Sequence, residues 1–142
     1  MTILKRILFT GFEPFHEYKI NSSWSLVDSF KNTTSDFESI KLLLPVEFKA
    51  VSNLVPKILK QYHPDIVLAF GQCTGDSIRI ERVALNLDDA RTADNSGYTP
   101  IDELIHADGK NAYFSSLPVK AIQHAVAAKN IPAIISNSAG TY

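Results

Sequence analysis

The residues of this chain best suited to chemistry sit at the ends of apolar runs. Glu81 interrupts 78–87 (IRIERVALNL), an alternation that otherwise reads as a strand with one polar face. A carboxylate there is either ion-paired, with Arg79, Arg82 or Arg91 as the default, or held in a cleft with a shifted pKa. Gln72 follows the apolar run 65–70 (DIVLAF) and a glycine. Its amide, donor and acceptor together, suits a ligand that is itself a cyclic amide; otherwise it is a loop glutamine in solvent. Phe12 and Phe15 flank a Glu-Pro turn after the run 6–10 (RILFT). They can wall a small apolar pocket at the carboxyl end of a strand, where α/β folds bind ligands, or both can be core. Gly11-Phe12-Glu13-Pro14-Phe15 is not G-x-G-x-x-G, which argues against a dinucleotide loop.

Cys73 is the only thiol and so the naive nucleophile. No nearby His or Asp pattern supports that role, and a lone cysteine is more often a small buried hydrophobe. Asp88, Asp89, Asp94, Asp102 and Glu103 crowd one loop, which raises a divalent metal. Their spacing fits no calcium-loop pattern and Arg91 stands among them, so no metal is expected. His16, His63, His106 and His124 lack the paired spacing of zinc sites and read as solvent-facing, three in loops or turns and one on a helix.

Alternating strands and helices must position these groups. Strands are expected at 6–10, at 39–44 ending on Pro45, at 65–70, at 78–87 and at 132–137. Ser22 or Ser23 is expected to cap a helix carrying Trp24, Leu26, Val27 and Phe30. Residues 48–62 place Phe48, Val51, Leu54, Val55, Ile58, Leu59 and Tyr62 at helical spacing. Pro56 lies inside that stretch, so the helix either restarts with Asn53 as its cap or kinks. Residues 88–100 read as loop with Asn-Ser-Gly at the tip. A further helix begins at Leu117 and Pro118 with Ser116 as its cap, carrying Val119, Ile122, Ala125 and Val126. The alternation implies an α/β sandwich with a mostly parallel sheet. Neither internal repeats nor a dividing linker is visible, so residues 1–142 are expected to form a single domain.

The chain has 142 residues, 45% hydrophobic and 20% charged, with a net charge of −1. That charge argues against nucleic acid or an anionic membrane as the main partner. No apolar run approaches the ~20 residues of a membrane helix. The N-terminal apolar stretch is short and meets Glu13 at once, so a signal peptide is not expected. A single cysteine allows no intrachain disulfide and fits a reducing, cytoplasmic location. The chain ends on a small-residue turn after a strand, where α/β folds normally feed a covering helix. An incomplete fold is therefore expected, with apolar surface along 132–137 and a tendency to aggregate or to need a partner.

TGFEPF at 10–15, NSSW at 21–24, LPV at 44–46, GQ at 71–72, ERVALNLDDAR at 81–91, DN-x-G at 94–97, AYFSSLPVKA at 112–121 and SNSAGTY at 136–142 resemble, in order and spacing, the pyroglutamyl peptidase (pyrrolidone-carboxylate peptidase) family. The resemblance spans the chain. It implies a three-layer α/β/α sandwich with a mostly parallel mixed sheet, phosphorylase/hydrolase-like and truncated at its C-terminus. It implies a cysteine peptidase with a Cys-His-Glu arrangement that removes N-terminal pyroglutamate. Glu81 matches the catalytic acid, whose role would be to orient the histidine and stabilise its charged form. Gln72 matches the glutamine facing the pyroglutamyl ring, and Phe12 and Phe15 match aromatics sandwiching it. Arg91 matches an arginine near the scissile carbonyl, placed to favour the oxyanion. Asn21 and Val46 fall in pocket-lining segments. No cofactor is implied. The implied partners are peptides with an N-terminal pyroglutamate, with homo-oligomerisation left open, and neither nucleic acid nor membrane.

Departures from the family pattern are visible. His16 and Glu17 stand where the family commonly has glycines, Cys73-Thr74-Gly75-Asp76 follows the Gly-Gln, and Ser22 replaces a proline. In the family, Ala-Gly-Thr-(Tyr/Phe) runs on into a hydrophobic residue and then a Cys-Asn that opens a helix, where the helix terminus favours a thiolate. The catalytic histidine comes later still. Neither position falls within these 142 residues, and Cys73 and the four histidines match neither. The chain alone is therefore expected to be inactive. The alternative is a non-catalytic fragment or pseudoenzyme that binds pyroglutamyl termini. A nucleoside- or phosphate-binding enzyme is a third reading by fold analogy, weakened by the lack of a Gly-rich phosphate loop.

Overall fold

The structure, a computed structural model, describes residues 4–142 and divides into two compact units. The first unit comprises the chain up to Cys73 together with Asp94–Tyr98; the second comprises Thr74–Ala93 and Thr99–Tyr142.

In the first unit, strand β1 (Lys5–Phe12), helix α1 (Ser22–Ser29), strand β2 (Phe37–Leu44), helix α2 (Phe48–Tyr62) and strand β3 (Ile66–Ala69) follow one another. The sheet order is β2-β1-β3 and both pairings are parallel. The central strand is covered on both faces, which is why its sequence is a continuous apolar run rather than an alternation. Leu8 is 1% exposed, and Phe9, Val27, Leu44 and Val46 are buried with it. The Phe9 ring stacks on Phe30 at 4.8 Å, and Phe30 on Phe37 at 6.5 Å. These contacts put α1 on the Phe9 and Gly11 face of β1. The chain then returns from β2 to the far side of β1, and the right-handed crossover rule places α2 on the opposite face.

Two helix caps differ from those expected. Asn21, not Ser22 or Ser23, caps α1: its side chain accepts a hydrogen bond from the Ser23 N–H at 3.1 Å. In Asn-Ser-Ser every residue is a competent cap, and the hydroxyl of buried Ser23 is engaged elsewhere, accepting from the Phe12 N–H at 2.9 Å. Helix α2 runs unbroken through Pro56, with Glu47 at its N-cap, so Asn53 starts no new helix. Ser52 and Pro56 both face solvent, where water can serve the carbonyl that the proline ring leaves without a donor.

The second unit holds strands β4 (Ile78–Glu81), β5 (Val83–Leu85), β6 (Ala112–Phe114), helix α3 (Val119–Ala127) and strand β7 (Ala133–Ser136). β4 pairs with β7 in parallel, and β5 pairs with β6 antiparallel. The single strand expected over 78–87 is thus two strands in different sheets. Arg82 is the pivot: its N–H donates to the Ser136 carbonyl and its carbonyl accepts from the Ser115 N–H, each at 2.8 Å. No side-chain cap bond forms at α3, whose N-cap is Pro118 rather than Ser116. Residues 88–100 carry no strand or helix, as expected, and the Gly97 N–H closes the tip onto the Asp94 carbonyl at 3.0 Å. Ile134 is 47% exposed and Phe114 76% exposed, so apolar side chains of β7 and β6 face solvent in this chain.

No helix among the described residues is long and apolar enough to cross a membrane.

Candidate active site

In the first unit, the β1 strand delivers Phe12 to its carboxyl end, and the Glu13-Pro14 turn carries Phe15 beyond it. Both rings are half-buried rather than core. The turn is held from several sides. Glu13 donates its N–H to the Leu44 carbonyl at 2.9 Å, and its carbonyl accepts from the Asn21 amide at 3.0 Å. Its carboxylate Oε1 accepts from the Val46 N–H at 3.1 Å. Asn21 is thus a double anchor, capping α1 with its oxygen and bracing the turn with its nitrogen. Val46 is buried beside the same turn. The His16 ring lies 3.7 Å from the Phe15 ring, centroid to centroid. The backbone at His16 has φ +53°. That left-handed geometry is one that glycine adopts at no steric cost and histidine only rarely.

Gln72 ends in the same unit. Its Oε1 accepts from the Ser22 N–H at 2.8 Å, in the first turn of α1. A backbone N–H can only donate, so this bond fixes the amide with its oxygen toward the helix. The Nε2 is the end left to address a ligand, and it is a donor. Cys73, expected as a small buried hydrophobe, is exposed.

In the second unit, Glu81 closes β4, paired in register with Ser136. It is half-buried, and its Oε2 is fully shielded with no hydrogen-bond partner among the described residues. The ion pair with Arg79, Arg82 or Arg91 is not formed among the described residues. A shielded carboxylate oxygen without a donor is costly to maintain, by about 1–3 kcal/mol, and calls for an N–H or O–H supplied to it. Arg91 is exposed in the loop that follows, beside buried Ala90, whose N–H donates to the Pro100 carbonyl at 2.9 Å. Asp89 and Thr141 clasp one another: the Asp89 N–H donates to the Thr141 carbonyl, and the Thr141 hydroxyl to the Asp89 carbonyl, both at 2.8 Å. The final AGTY is therefore anchored to the loop bearing Arg91.

The acidic loop residues do other work. Burial, and then the neighbouring Glu103 carboxylate, push the Asp88 carboxyl above its ordinary value. Asp94, 6% exposed, accepts from the N–H groups of Phe48, Ser96 and Tyr98 at 2.9 Å each, and from the Ser96 hydroxyl at 2.7 Å. No group of three or more His, Cys, Asp or Glu side chains converges as a metal cluster among the described residues. Two open depressions, of about 440 Å³ beside Arg82 and the start of α3 and about 500 Å³ at His16–Tyr18, are not walled by Phe12, Phe15 or Gln72.

Sequence comparison places residues 5–142 on the pyroglutamyl peptidase family profile. The chain is 48% identical over 137 residues to a pyrrolidone-carboxylate peptidase of Staphylococcus aureus, covering 96% of this chain and 65% of that protein. It therefore spans just under two thirds of the length of that relative. The pyrrolidone carboxyl peptidase of Fervidobacterium islandicum superposes with a TM-score of 0.93 at 35% identity, over 97% of this chain and 67% of that one. A Pyrococcus furiosus pyrrolidone carboxyl peptidase variant gives 0.91 at 40% identity, over 96% and 67%. With a fold at this level of agreement and the family's loop sequences in order, the chain belongs to the pyroglutamyl peptidase family.

Proposed function

We propose that this chain supplies the ring-binding side and the acid of a cysteine peptidase that hydrolyses N-terminal pyroglutamate from peptides, and that both units belong to one domain of that enzyme. The observation that carries the proposal is that the start of α1 ties both parts of the site: Ser23 accepts from the Phe12 N–H at the end of β1, and the Ser22 N–H engages the Gln72 oxygen, which leaves the Gln72 Nε2 as a donor. Phe12 and Phe15 sandwich the flat lactam ring. Gln72 offers Nε2 as a donor to the lactam carbonyl, and Asn21 and Val46 hold the pocket margin. A free N-terminal amine would have to shed water from its charge to lie between two phenyl rings, whereas the lactam is neutral.

Glu81 is the acid in this reading. Its unpartnered Oε2 is the acceptor for a histidine N–H, which it orients and whose imidazolium it stabilises. Arg91, exposed and cationic, favours the oxyanion that develops at the scissile carbonyl. The nucleophilic thiol and the histidine have no counterpart among these 142 residues, so the 142-residue polypeptide by itself binds without cleaving. The location that fits a single exposed thiol is the cytoplasm.

The assay is hydrolysis of a pyroglutamyl arylamide by the 142-residue chain. No turnover above the uncatalysed rate is expected. Turnover abolished by alkylating Cys73 would overturn the assignment of roles.

A further inference from the structure

Loop 94–98 lies far along the sequence from the Glu13-Pro14 turn yet belongs to the same compact unit. The Asn95 side-chain Nδ2 donates both to Glu13 Oε1 at 3.1 Å and to the Pro14 carbonyl at 3.0 Å. The Asn95 N–H donates to the Val46 carbonyl at 2.9 Å, while the Val46 N–H donates to Glu13 Oε1 at 3.1 Å. Four groups thereby close a ring of hydrogen bonds: the Asn95 side chain and backbone, Val46, and the Glu13 carboxylate. Asp94 holds the loop that presents Asn95, through its bonds to Phe48, Ser96 and Tyr98.

We infer that Asn95 is a positioning residue for the ring site: it clasps the Glu13-Pro14 turn against Val46 and so fixes the direction in which Phe15 leaves the turn. The torsions carry the argument. The pyrrolidine ring fixes φ at Pro14, so ψ is the one free backbone torsion of that residue. That torsion sets where the Pro14 carbonyl points and, with it, the plane of the peptide that launches Phe15. A bond from Asn95 to the Pro14 carbonyl pins it. Glu13, by the same geometry, is a strut for the turn: its Oε1 receives two donors, which leaves it bound within the fold. The inference rests on the pyroglutamyl-binding reading above and adds to it a residue that touches no substrate.

The test is binding of L-pyroglutamyl-L-alanine to the 142-residue chain, measured by ligand-observed NMR or calorimetry. Asn95→Asp is nearly isosteric but replaces the donor by a carboxylate facing Glu13 Oε1 and the Pro14 carbonyl. It is expected to weaken binding by about tenfold. In a Phe15→Ala background the same substitution is expected to change affinity by less than about twofold, because Asn95 acts through that ring. General loosening of the fold would instead weaken the Phe15→Ala chain further. Asn95→Ala, which removes the donor without adding repulsion, gives the same reading if Asn95→Asp does not fold. Wild-type affinity in both Asn95 variants, or an equal loss with and without Phe15, overturns the clasp while leaving the ring site standing. Absence of binding by the wild-type chain overturns the ring site and the clasp together.

Discussion

Gly11→Ala is expected to lower the unfolding free energy by about 3 kcal/mol. A Cβ at Gly11 would stand 2.8 Å from the carbonyl carbon and oxygen of Ser23 and from the Trp24 Cα. All three are backbone atoms, so no side-chain rotation relieves the overlap. Gly11 sits on the central strand, opposite Leu43, and α1 lies directly against it. Relief requires α1 to lift away from β1. That movement would stretch the Phe12 N–H to Ser23 hydroxyl bond and disturb the Phe9–Phe30 stack. Gly71→Ala is the matched control, because nothing lies within 4 Å of a Cβ there. Urea denaturation of both variants separates the cases. A Gly11→Ala chain as stable as Gly71→Ala would show that the close approach of α1 to β1 is wrong.

Asp94→Ala should cost a similar amount, about 3 kcal/mol at neutral pH. Three backbone N–H groups and one hydroxyl lose their acceptor at once. One of them, at Phe48, is the first residue of α2, whose N-cap Glu47 makes no side-chain cap bond. Asp94 thus caps that helix from outside it. Burial raises the Asp94 carboxyl, but the hydrogen bonds from Ser96, Tyr98 and Phe48 outweigh it and hold the carboxyl below its ordinary value. The sign follows from linkage. A carboxyl with a lowered folded pKa contributes stability that is present above its unfolded value. That contribution is lost as pH falls through the folded value. The gap in melting temperature between the wild type and Asp94→Ala should therefore be widest near neutrality and narrow in acid. A gap that does not change with pH would contradict a charged, hydrogen-bonded Asp94.

Why these features differ in legibility is a matter of range. RILFT reads as a buried strand because it is covered on both faces. Residues 48–62 read as a helix because their apolar spacing is local, and the observed bounds agree. The turn at Arg82 is invisible because the alternation of IRIERVALNL continues across it; only the partners Ser136 and Ser115, far along the chain, reveal two strands. Asp94 reads as a metal ligand or a loop acid, since one of its donor partners lies 46 positions away and its neighbour Asn95 reaches Glu13 across 82. The family resemblance points to Phe12, Phe15, Gln72 and Glu81, and shape comparison agrees on the fold. It does not foresee that Gln72 is oriented by Ser22, that Glu81 Oε2 is shielded without a partner, or that Asn21 holds both a helix and a turn. Such facts depend on which donors the chain brings together, and no local pattern encodes them.

The most direct test of the ring site compares L-pyroglutamyl-L-alanine with L-prolyl-L-alanine as ligands for the 142-residue chain. The two share the five-membered ring and differ in the lactam carbonyl and in the charge on nitrogen. The pyroglutamyl dipeptide should bind, and the prolyl dipeptide at least about tenfold more weakly, because it offers nothing to the Gln72 Nε2 and its charged nitrogen must lose water against the phenyl rings. Equal affinity for the two, or no binding of the pyroglutamyl dipeptide, would contradict the assignment of Phe12, Phe15 and Gln72 as a lactam site.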